Sequence, residues 1–305
     1  MTHRLGATIA ACLLLLGIAA CGGLDDTSDS AARTRTVDTA NGPVEVPERP
    51  ERVVVLDTGE LDDALALGVT PVGAVTTDVD SEFLGYLGDR TDGIEPVGTI
   101  TEPNLEKIAA LEPDVILSSK VRHEALYDQL SDIAPTVFSE NVGYPWKQNF
   151  RLHAEALGLE GKAADLMAAY EAKAARVDKA LPDDTVISLV RFVPDQTRLY
   201  SDKSFSGVIT ADVGAQVPEP ARGADTFVEL SPEKLGLADA DYLLTSTYGA
   251  AEDTEQAAIT KSGLWTNLDA VEDGRTGQID DDLITGIGIL AANEVLDSMD
   301  SAFAH

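Results

Sequence analysis

The sequence predicts an α/β protein with two Rossmann-like lobes of parallel sheet, joined by one long α-helix, with a ligand cleft between the lobes. Three features predict this architecture: a phrase that occurs once in each half, an alternation of apolar strands and helices, and one long helical stripe between the halves. Small ligands usually bind in such clefts, so the fold also indicates where a binding site lies.

One sequence motif occurs once in each half of the chain. Residues 104–119 (NLEKIAALEPDVILSS) and 231–246 (SPEKLGLADADYLLTS) align without a gap. The identical positions are Glu106 and Glu233, Lys107 and Lys234, Asp114 and Asp241, Leu117 and Leu244, and Ser119 and Ser246. Each copy is a short helix followed by a strand, with a glutamate in the first turn, where the helix dipole favours a carboxylate. One copy in each half predicts two similar lobes.

The amino terminus is typical of an exported lipoprotein. Arg4 precedes an apolar stretch of signal-peptide length that ends in IAACGG, which resembles a bacterial lipobox with Cys21 as the lipidated residue. The predicted location is therefore extracytoplasmic, with the chain anchored to the cell membrane through lipid. The predicted segments are a signal peptide (1–20), a flexible tether (21–36), an N-terminal α/β lobe (37–160), a linking helix (161–182) and a C-terminal α/β lobe (183–305).

The composition argues against several function classes. The chain has 53 acidic and 22 basic residues and a net charge of −31, which disfavours nucleic acid as a partner. We find no GxSxG, GxxxxGK[ST] or HExxH motif, and the scattered histidines assemble no zinc site, so we expect a protein that is not an enzyme. The pair Asp62-Asp63 and the run 280–282 are open to a hard cation but are more typical of solvated loops.

Strands and helices alternate through the first half, which predicts a parallel sheet with helices on both faces. The expected strands are 53–56, 69–75, 97–98 and 136–138, the expected helices are 61–67 and 123–133, and the first repeat copy (104–119) adds one short helix and one strand. A helix at 147–158 and the amphipathic stretch 162–181 follow, the second of which is the linking helix.

The second half repeats the pattern. A strand is expected at 185–193, and Leu199-Tyr200 follow it. A helix at 205–212, the short helix and strand of the second repeat copy (231–246), a helix leading to Trp265 and Leu268, and a final helix at 287–303 are expected next. An arginine, Arg191, stands inside the apolar strand TVISLVRFV, where a buried cation needs an acceptor.

Taken together, these sequence features resemble those of the iron-siderophore group of substrate-binding proteins of ABC importers. The resemblance covers residues 37–300 and is carried by PERVVVLDTGELDDALALG, both repeat copies, VRHEALYDQLSDIAPTVF, PWKQNFRLHAEALG, VRFVPDQTRLYSDKSFSGVITADVG, LWTNLDAVEDGR and LITGIGILAANEVL. It implies a monomer that binds a ferric siderophore, in which the chelator holds Fe³⁺ and the protein binds no cofactor directly. It also implies that Glu106 and Glu233 dock against arginines of the ABC permease subunits.

The expected ligand contacts come from both lobes. Arg191, Arg198 and Tyr200 in the second lobe are candidate contacts to the oxygen shell of a ferric chelate, although a structural salt bridge is an alternative for Arg191. The matching candidates of the first lobe are Arg122 and its neighbour His123.

Aromatic residues are the next candidates. Tyr144 and Trp146 are expected to contact the chelate from a loop between the lobes, and a place in the core is the alternative for Trp146. We expect Phe205 and Trp265 to serve packing.

One segment departs from the family pattern. Siderophore relatives often carry an aromatic residue where this chain has DDDLITGIG, with Leu283 and Ile284, which fits a hydroxamate better than a catecholate. The alternatives are a binder of haem or a corrinoid, a siderophore-processing esterase, and a direct zinc or manganese binder, which the scattered histidines disfavour.

Overall fold

A β-hairpin begins the part of the chain that the structure, a computed structural model, describes, namely residues 33–78 and 82–303. Strand β1 (Thr34–Thr39) pairs antiparallel with β2 (Gly42–Pro47). The hairpin includes residues 34–36, which the sequence analysis assigns to the tether. The predicted signal peptide and Cys21 lie outside the described residues.

The first sheet has five parallel strands in the order β5-β4-β3-β6-β7. The strands are β3 (Val53–Val55), β4 (Gly73–Thr76), β5 (Glu95–Thr99), β6 (Val115–Ser119) and β7 (Thr136–Ser139). The central strand β3 is fully buried, because helices cover both faces of the sheet.

Short helices connect the strands of the first lobe. They are α1 (Thr58–Ala66), α2 (Leu105–Ala110), α3 (Lys120–His123) and α4 (Tyr127–Ser131), with 3₁₀ helices at Gly85–Thr91 and Glu124–Leu126. Helix α2 begins at the first repeat copy, where the Asn104 side chain accepts a hydrogen bond from the Lys107 backbone N–H.

Two consecutive helices lead from the first lobe to the second. Helix α5 (Trp146–Leu157) ends at Gly158, whose φ of 71° lies in the left-handed region that favours glycine. Helix α6 (Glu160–Asp178) is the predicted long helix, two residues earlier than its predicted start, and it is about 29 Å long.

The second sheet has five strands in the order β10-β9-β8-β11-β12. The strands are β8 (Ile187–Val193), β9 (Gln196–Tyr200), β10 (Phe227–Glu229), β11 (Tyr242–Thr247) and β12 (Thr276–Gln278). This sheet is mixed, because the two-residue turn between β8 and β9 makes β9 antiparallel to its neighbours. The predicted fold class, two α/β lobes and a long helix, is confirmed, but only the first sheet is parallel throughout, as was predicted for both.

The remaining helices flank the second sheet. They are α7 (Phe205–Asp212), α8 (Gln256–Ile259), α9 (Gly263–Thr266), α10 (Asp269–Glu272), α11 (Asp281–Gly286) and α12 (Ile289–Phe303), with 3₁₀ helices at Glu219–Ala221, Pro232–Ala238 and Ala251–Asp253. The second repeat copy thus forms a 3₁₀ helix instead of an α-helix. The predicted final helix is α12. The short helix α11 precedes it, and Ile287 in the left-handed conformation (φ 44°) ends α11 before α12 begins.

The largest apolar core spans both halves. It contains Val55 of the first sheet, Tyr170 of α6, Leu244 of the second sheet and Val295 of α12. Burial in one shared cluster fixes the two sheets relative to each other. Among residues 33–78 and 82–303, no helix combines the length and the apolar character that crossing a bilayer requires.

Candidate functional site

A cleft of about 540 Å³ lies between the carboxyl edges of the two sheets. Its lining includes Thr77 after β4, Ile100 after β5 and Tyr248 after β11. Loops at the carboxyl ends of parallel strands are where α/β folds bind ligands. Among the residues predicted as ligand contacts, Arg122, Tyr144, Arg191, Arg198 and Tyr200 all line this cleft.

Arg191 lies on β8 at the floor of the cleft and is 9% exposed. Its Nε donates to Asp281 Oδ1 (2.7 Å), its Nη1 to the Tyr200 hydroxyl (3.1 Å) and its Nη2 to Asp281 Oδ2 and to Thr285 Oγ1 (2.7 Å). Burial opposes the charge, but the hydrogen bonds to Asp281 raise the pKa of Arg191 above its usual value. Because four of the five guanidinium N–H groups already have partners, Arg191 is rigidly held.

The salt-bridge alternative for Arg191 is therefore correct, and its place in the cleft lining also leaves it available to a ligand. Asp281 lies in the run 280–282, which was assigned to a solvated loop or a cation site. The structure instead places it in the first turn of α11, where it accepts hydrogen bonds from Arg191, Ser246 and Thr285.

Arg198 differs from Arg191 in its surroundings. It is half-buried, its guanidinium lies 4.3 Å from the centre of the Phe227 ring, and its Nε donates to Gln196 Oε1. Arg198 forms no salt bridge with any residue in the described ranges 33–78 and 82–303. Its Nη groups, like those of Arg122, form no hydrogen bond within the described residues and are therefore open to a ligand in the cleft.

The first lobe contributes Arg122 from α3. Its Nε donates to Asp57 Oδ2 over 2.9 Å, and the negative charge of Asp57 raises the pKa of Arg122. Asp57 is fully buried and also accepts a hydrogen bond from the Thr58 backbone N–H (2.7 Å) at the start of α1. One carboxylate therefore both begins a helix and orients a cleft arginine.

His123 does not line the cleft, although it is adjacent to Arg122. It is 2% exposed, and its ring nitrogens lie 2.7 Å from Ser118 Oγ and 2.7 Å from the Ile100 carbonyl oxygen. Burial lowers the pKa of His123 and favours the neutral ring. Its role is to fasten β6 to the loop after β5.

The predicted aromatic contacts have different locations. Tyr144 is 53% exposed at the rim of the cleft, whereas Trp146 is 1% exposed and does not line the cleft. The Trp146 ring packs edge-on against Tyr170 and Phe205, with centroid separations of 5.1 and 5.8 Å. The core alternative for Trp146 is therefore the one that the structure supports, and Phe205 both packs and lines the cleft.

Tyr248 is a cleft residue that the sequence analysis did not single out. The centre of its ring lies 4.9 Å from the Arg191 guanidinium carbon. The signal was available, because Tyr248 follows the strand of the second repeat copy just as Arg122 follows that of the first. Tyr248 therefore adds an aromatic ring to the cleft lining, in which Ile284 takes part and Leu283 does not.

Four buried carboxylates on or beside α1 form a second polar group, behind the cleft. They are Asp57, Glu60, Asp62 and Asp63, all of them buried. Asp62 accepts hydrogen bonds from the Leu290 and Ala291 backbone N–H groups (2.7 and 2.9 Å), so first-lobe carboxylates cap the amino terminus of α12. The interpretation of Asp62-Asp63 as a solvated loop was wrong.

The environment of these carboxylates perturbs their ionisation. Burial raises the pKa of Glu60 and of Asp62 to about 7. Asp63 Oδ2 lies 2.7 Å from His153 Nδ1, and burial lowers the pKa of His153. Within residues 33–78 and 82–303, no group of three His, Cys, Asp or Glu side chains has the geometry of a metal site.

Glu106 and Glu233 are both exposed. Helix α2, with Glu106, begins just after the carboxyl end of β5. The 3₁₀ helix with Glu233 follows β10, which runs parallel to β8 because each is antiparallel to β9. Both glutamates therefore start from the sheet edge that borders the cleft. A hydrogen bond from its own backbone N–H lowers the pKa of Glu233.

Comparisons with known proteins extend over both lobes. The family model described as periplasmic binding protein matches residues 53–283. The probable siderophore-binding lipoprotein YfiY of Bacillus subtilis (strain 168) is 37% identical over 309 aligned positions, which cover 95% of each chain. The Fe(3+)-citrate-binding protein YfmC of the same organism is 29% identical, over 90% of this chain and 88% of its own. The crystal structure of Staphylococcus aureus SirA complexed with staphyloferrin B is 31% identical, with a TM-score of 0.80, and covers 88% of this chain and 98% of SirA.

Proposed function

The chain belongs to the periplasmic binding protein family, and from this premise we propose that it captures a ferric siderophore outside the cell and delivers it to an ABC importer for iron uptake. The relatives are binding proteins by name, and two of them are named for siderophore or Fe(3+)-citrate binding. The observation that carries the proposal is the meeting of three guanidinium groups, Arg122, Arg191 and Arg198, in one cleft between the lobes.

The chemistry of the cleft suits a chelate surrounded by oxygen atoms. Guanidinium groups donate paired hydrogen bonds to carboxylate, hydroxamate or catecholate oxygens, and a low local dielectric strengthens such bonds. Arg122 and Arg191 are held in position by buried carboxylates, so they lose little side-chain entropy on binding. Arg198 and the Nη groups of Arg122 supply guanidinium donors that have no partner within the described residues. Iron stays coordinated by the chelator, and the protein binds the outer surface of the complex without catalysing a reaction.

Delivery to the importer is assigned to Glu106 and Glu233. Each is an exposed carboxylate on the cleft-bearing edge of its sheet, and the shared core holds the two at a fixed separation. A single exposed ion pair contributes little affinity, but two rigidly spaced carboxylates that meet arginines of the permease set the orientation of docking. The protein acts as a monomer, anchored to the outer face of the membrane through a lipid on Cys21.

A titration with ferric chelates tests this function. The protein is titrated with ferric hydroxamate, catecholate and carboxylate siderophores, with haem and cyanocobalamin as comparison ligands, and binding is followed by calorimetry. We expect submicromolar affinity for one class of ferric chelate and none for the iron-free chelator of that class. Tight binding of haem with a Soret band, or hydrolysis of the chelator, would reject the proposal.

A further inference from the structure

A second cavity, which we name the side cavity, adjoins the cleft beneath the loop that precedes α5. Its volume is about 780 Å³, compared with about 540 Å³ for the cleft. Val142, Tyr144 and Thr226 line both, so the two spaces are neighbours that meet at these three residues. Both volumes lie in the range of cavities that hold small organic molecules.

The side cavity differs from the cleft in its chemistry. No arginine lines it, whereas three line the cleft. Its wall on the first-lobe side carries half-buried apolar and neutral amide groups from Val142, Pro145, Asn149 and Leu152. Charged residues occur at its exposed rim, and three of these four are acidic: Asp38, Glu140, Lys203 and Asp225. An anionic oxygen shell therefore finds no guanidinium donor in the side cavity. An uncharged group can pack against its apolar side chains and hydrogen-bond to its amide group.

The junction between the two spaces is built by a tight turn. Gly143 has a φ of 73°, a conformation that glycine adopts without strain, and it directs the chain back before α5 begins. Tyr144, the next residue, is 53% exposed and contributes to the lining of both spaces. A ligand that extends from the cleft into the side cavity must pass along this ring, which offers an apolar face for contact.

We infer that the side cavity is a subsite for an uncharged arm of the ferric chelate, such as an acyl chain or an amide-linked spacer, while the chelate itself occupies the cleft. This inference rests on the proposed function. Such a subsite would favour linear chelates with a neutral appendage over compact chelates, because only an appendage can reach the side cavity and bury additional apolar surface. Each methylene group that becomes fully buried adds roughly fourfold to the affinity.

Two ferric chelates that differ only in the arm test this subsite. The probes are iron(III) complexes of one linear trihydroxamate whose terminal amine carries either an acetyl or a hexanoyl group. We expect the hexanoyl complex to bind the wild-type protein at least tenfold more tightly, as measured by calorimetry.

The matched variants are at Gln148, an exposed residue of α5 that lines the side cavity and not the cleft. Gln148→Trp fills the cavity, so it should bring the affinities of the two complexes within about threefold while leaving the acetyl complex unaffected. Gln148→Ala keeps the space open and should retain the preference for the hexanoyl complex. Unfolding temperatures equal to that of the wild type verify that both variants fold.

Three outcomes would overturn the inference. Equal affinities of the two complexes for the wild-type protein would show that the arm gains no contact. A loss of the same size for both complexes in Gln148→Trp would place the arm elsewhere. If neither complex binds, the hydroxamate assignment of the cleft fails, and the subsite fails with it; this outcome is distinct, because the first two leave binding in the cleft intact.

Discussion

Replacement of Arg191 by alanine should affect stability more than a surface substitution does, because it leaves a buried charge without its partner. Asp281 retains only the hydroxyl groups of Ser246 and Thr285, and its side chain is 12% exposed. Breaking a buried ion pair by removing one partner costs about 3–5 kcal/mol. For a protein of this size that loss lowers the unfolding temperature by about 6–10 °C.

A second substitution, at the partner of Arg191, separates the cost of the unpaired charge from the cost of lost packing. In Arg191→Ala/Asp281→Ala the unpaired carboxylate is absent, so more than half of the lost stability should return. Arg198→Ala is the control, because Arg198 lines the same cleft without a salt bridge. It should change the unfolding temperature by no more than about 2 °C and weaken binding of the ferric chelate at least tenfold.

Circular dichroism melts and chelate titrations of the four proteins provide the measurement. The reasoning fails if Arg191→Ala melts within about 2 °C of the wild type, or if the double variant is no more stable than Arg191→Ala. It also fails if Arg198→Ala binds the chelate as tightly as the wild type does, because a cleft guanidinium with unpartnered Nη groups would then make no contact.

Three further predictions follow from the same geometry. Glu106→Ala/Glu233→Ala should abolish iron uptake in cells and leave chelate affinity within about twofold; uptake at the wild-type rate would reject the docking assignment. Glu60 and Asp62 have pKa values of about 7 in the folded state, above the value of about 4 for an unfolded acid, so the folded state binds more protons between these values. The free energy of unfolding should therefore be greatest at mildly acidic pH and fall as pH rises from about 4.5 to 8. Glu60→Gln should reduce this slope in urea titrations. A free energy of unfolding that rises over this range would contradict the burial of these groups. Trp146→Phe should remove core packing and lower the unfolding temperature without changing chelate affinity, and a tenfold loss of affinity would restore Trp146 to the ligand site.

Local sequence patterns predicted most of the fold, because apolar residues recur at regular spacing in the strands and helices that are buried. The run Val53–Val55 and the helix at 205–212 agree with their predicted positions, and α6 differs by two or three residues at its ends. The hairpin of β1 and β2 was missed, since its strands are short and only Val37 and Val46 are fully buried. The antiparallel direction of β9 depends on the turn at residues 194–195, which strand alternation does not reveal.

The site was harder to predict than the fold. An arginine in an apolar strand identified Arg191, but its partner Asp281 lies 90 positions away, and nothing local links the two. Trp146 and Tyr144 are two residues apart, and the sequence does not say which of them faces the core. The pair Asp62-Asp63 is typical of a solvated loop in sequence because acidic residues are rarely buried, and the backbone N–H groups at the amino terminus of α12 explain its burial.

The capping of α12 by Asp62 has a consequence for how the chain acquires its structure. The Leu290 and Ala291 N–H groups that donate to Asp62 lie 228 and 229 positions after it, so they are synthesised long after the carboxylate. The second half alone therefore lacks the carboxylate that caps α12, and the first half alone lacks the N–H donors of its buried Asp62. Separate expression of one lobe should give a loosely ordered polypeptide. Unfolding should accordingly occur as a single cooperative transition, and native structure should form only after the carboxyl-terminal helix has been synthesised.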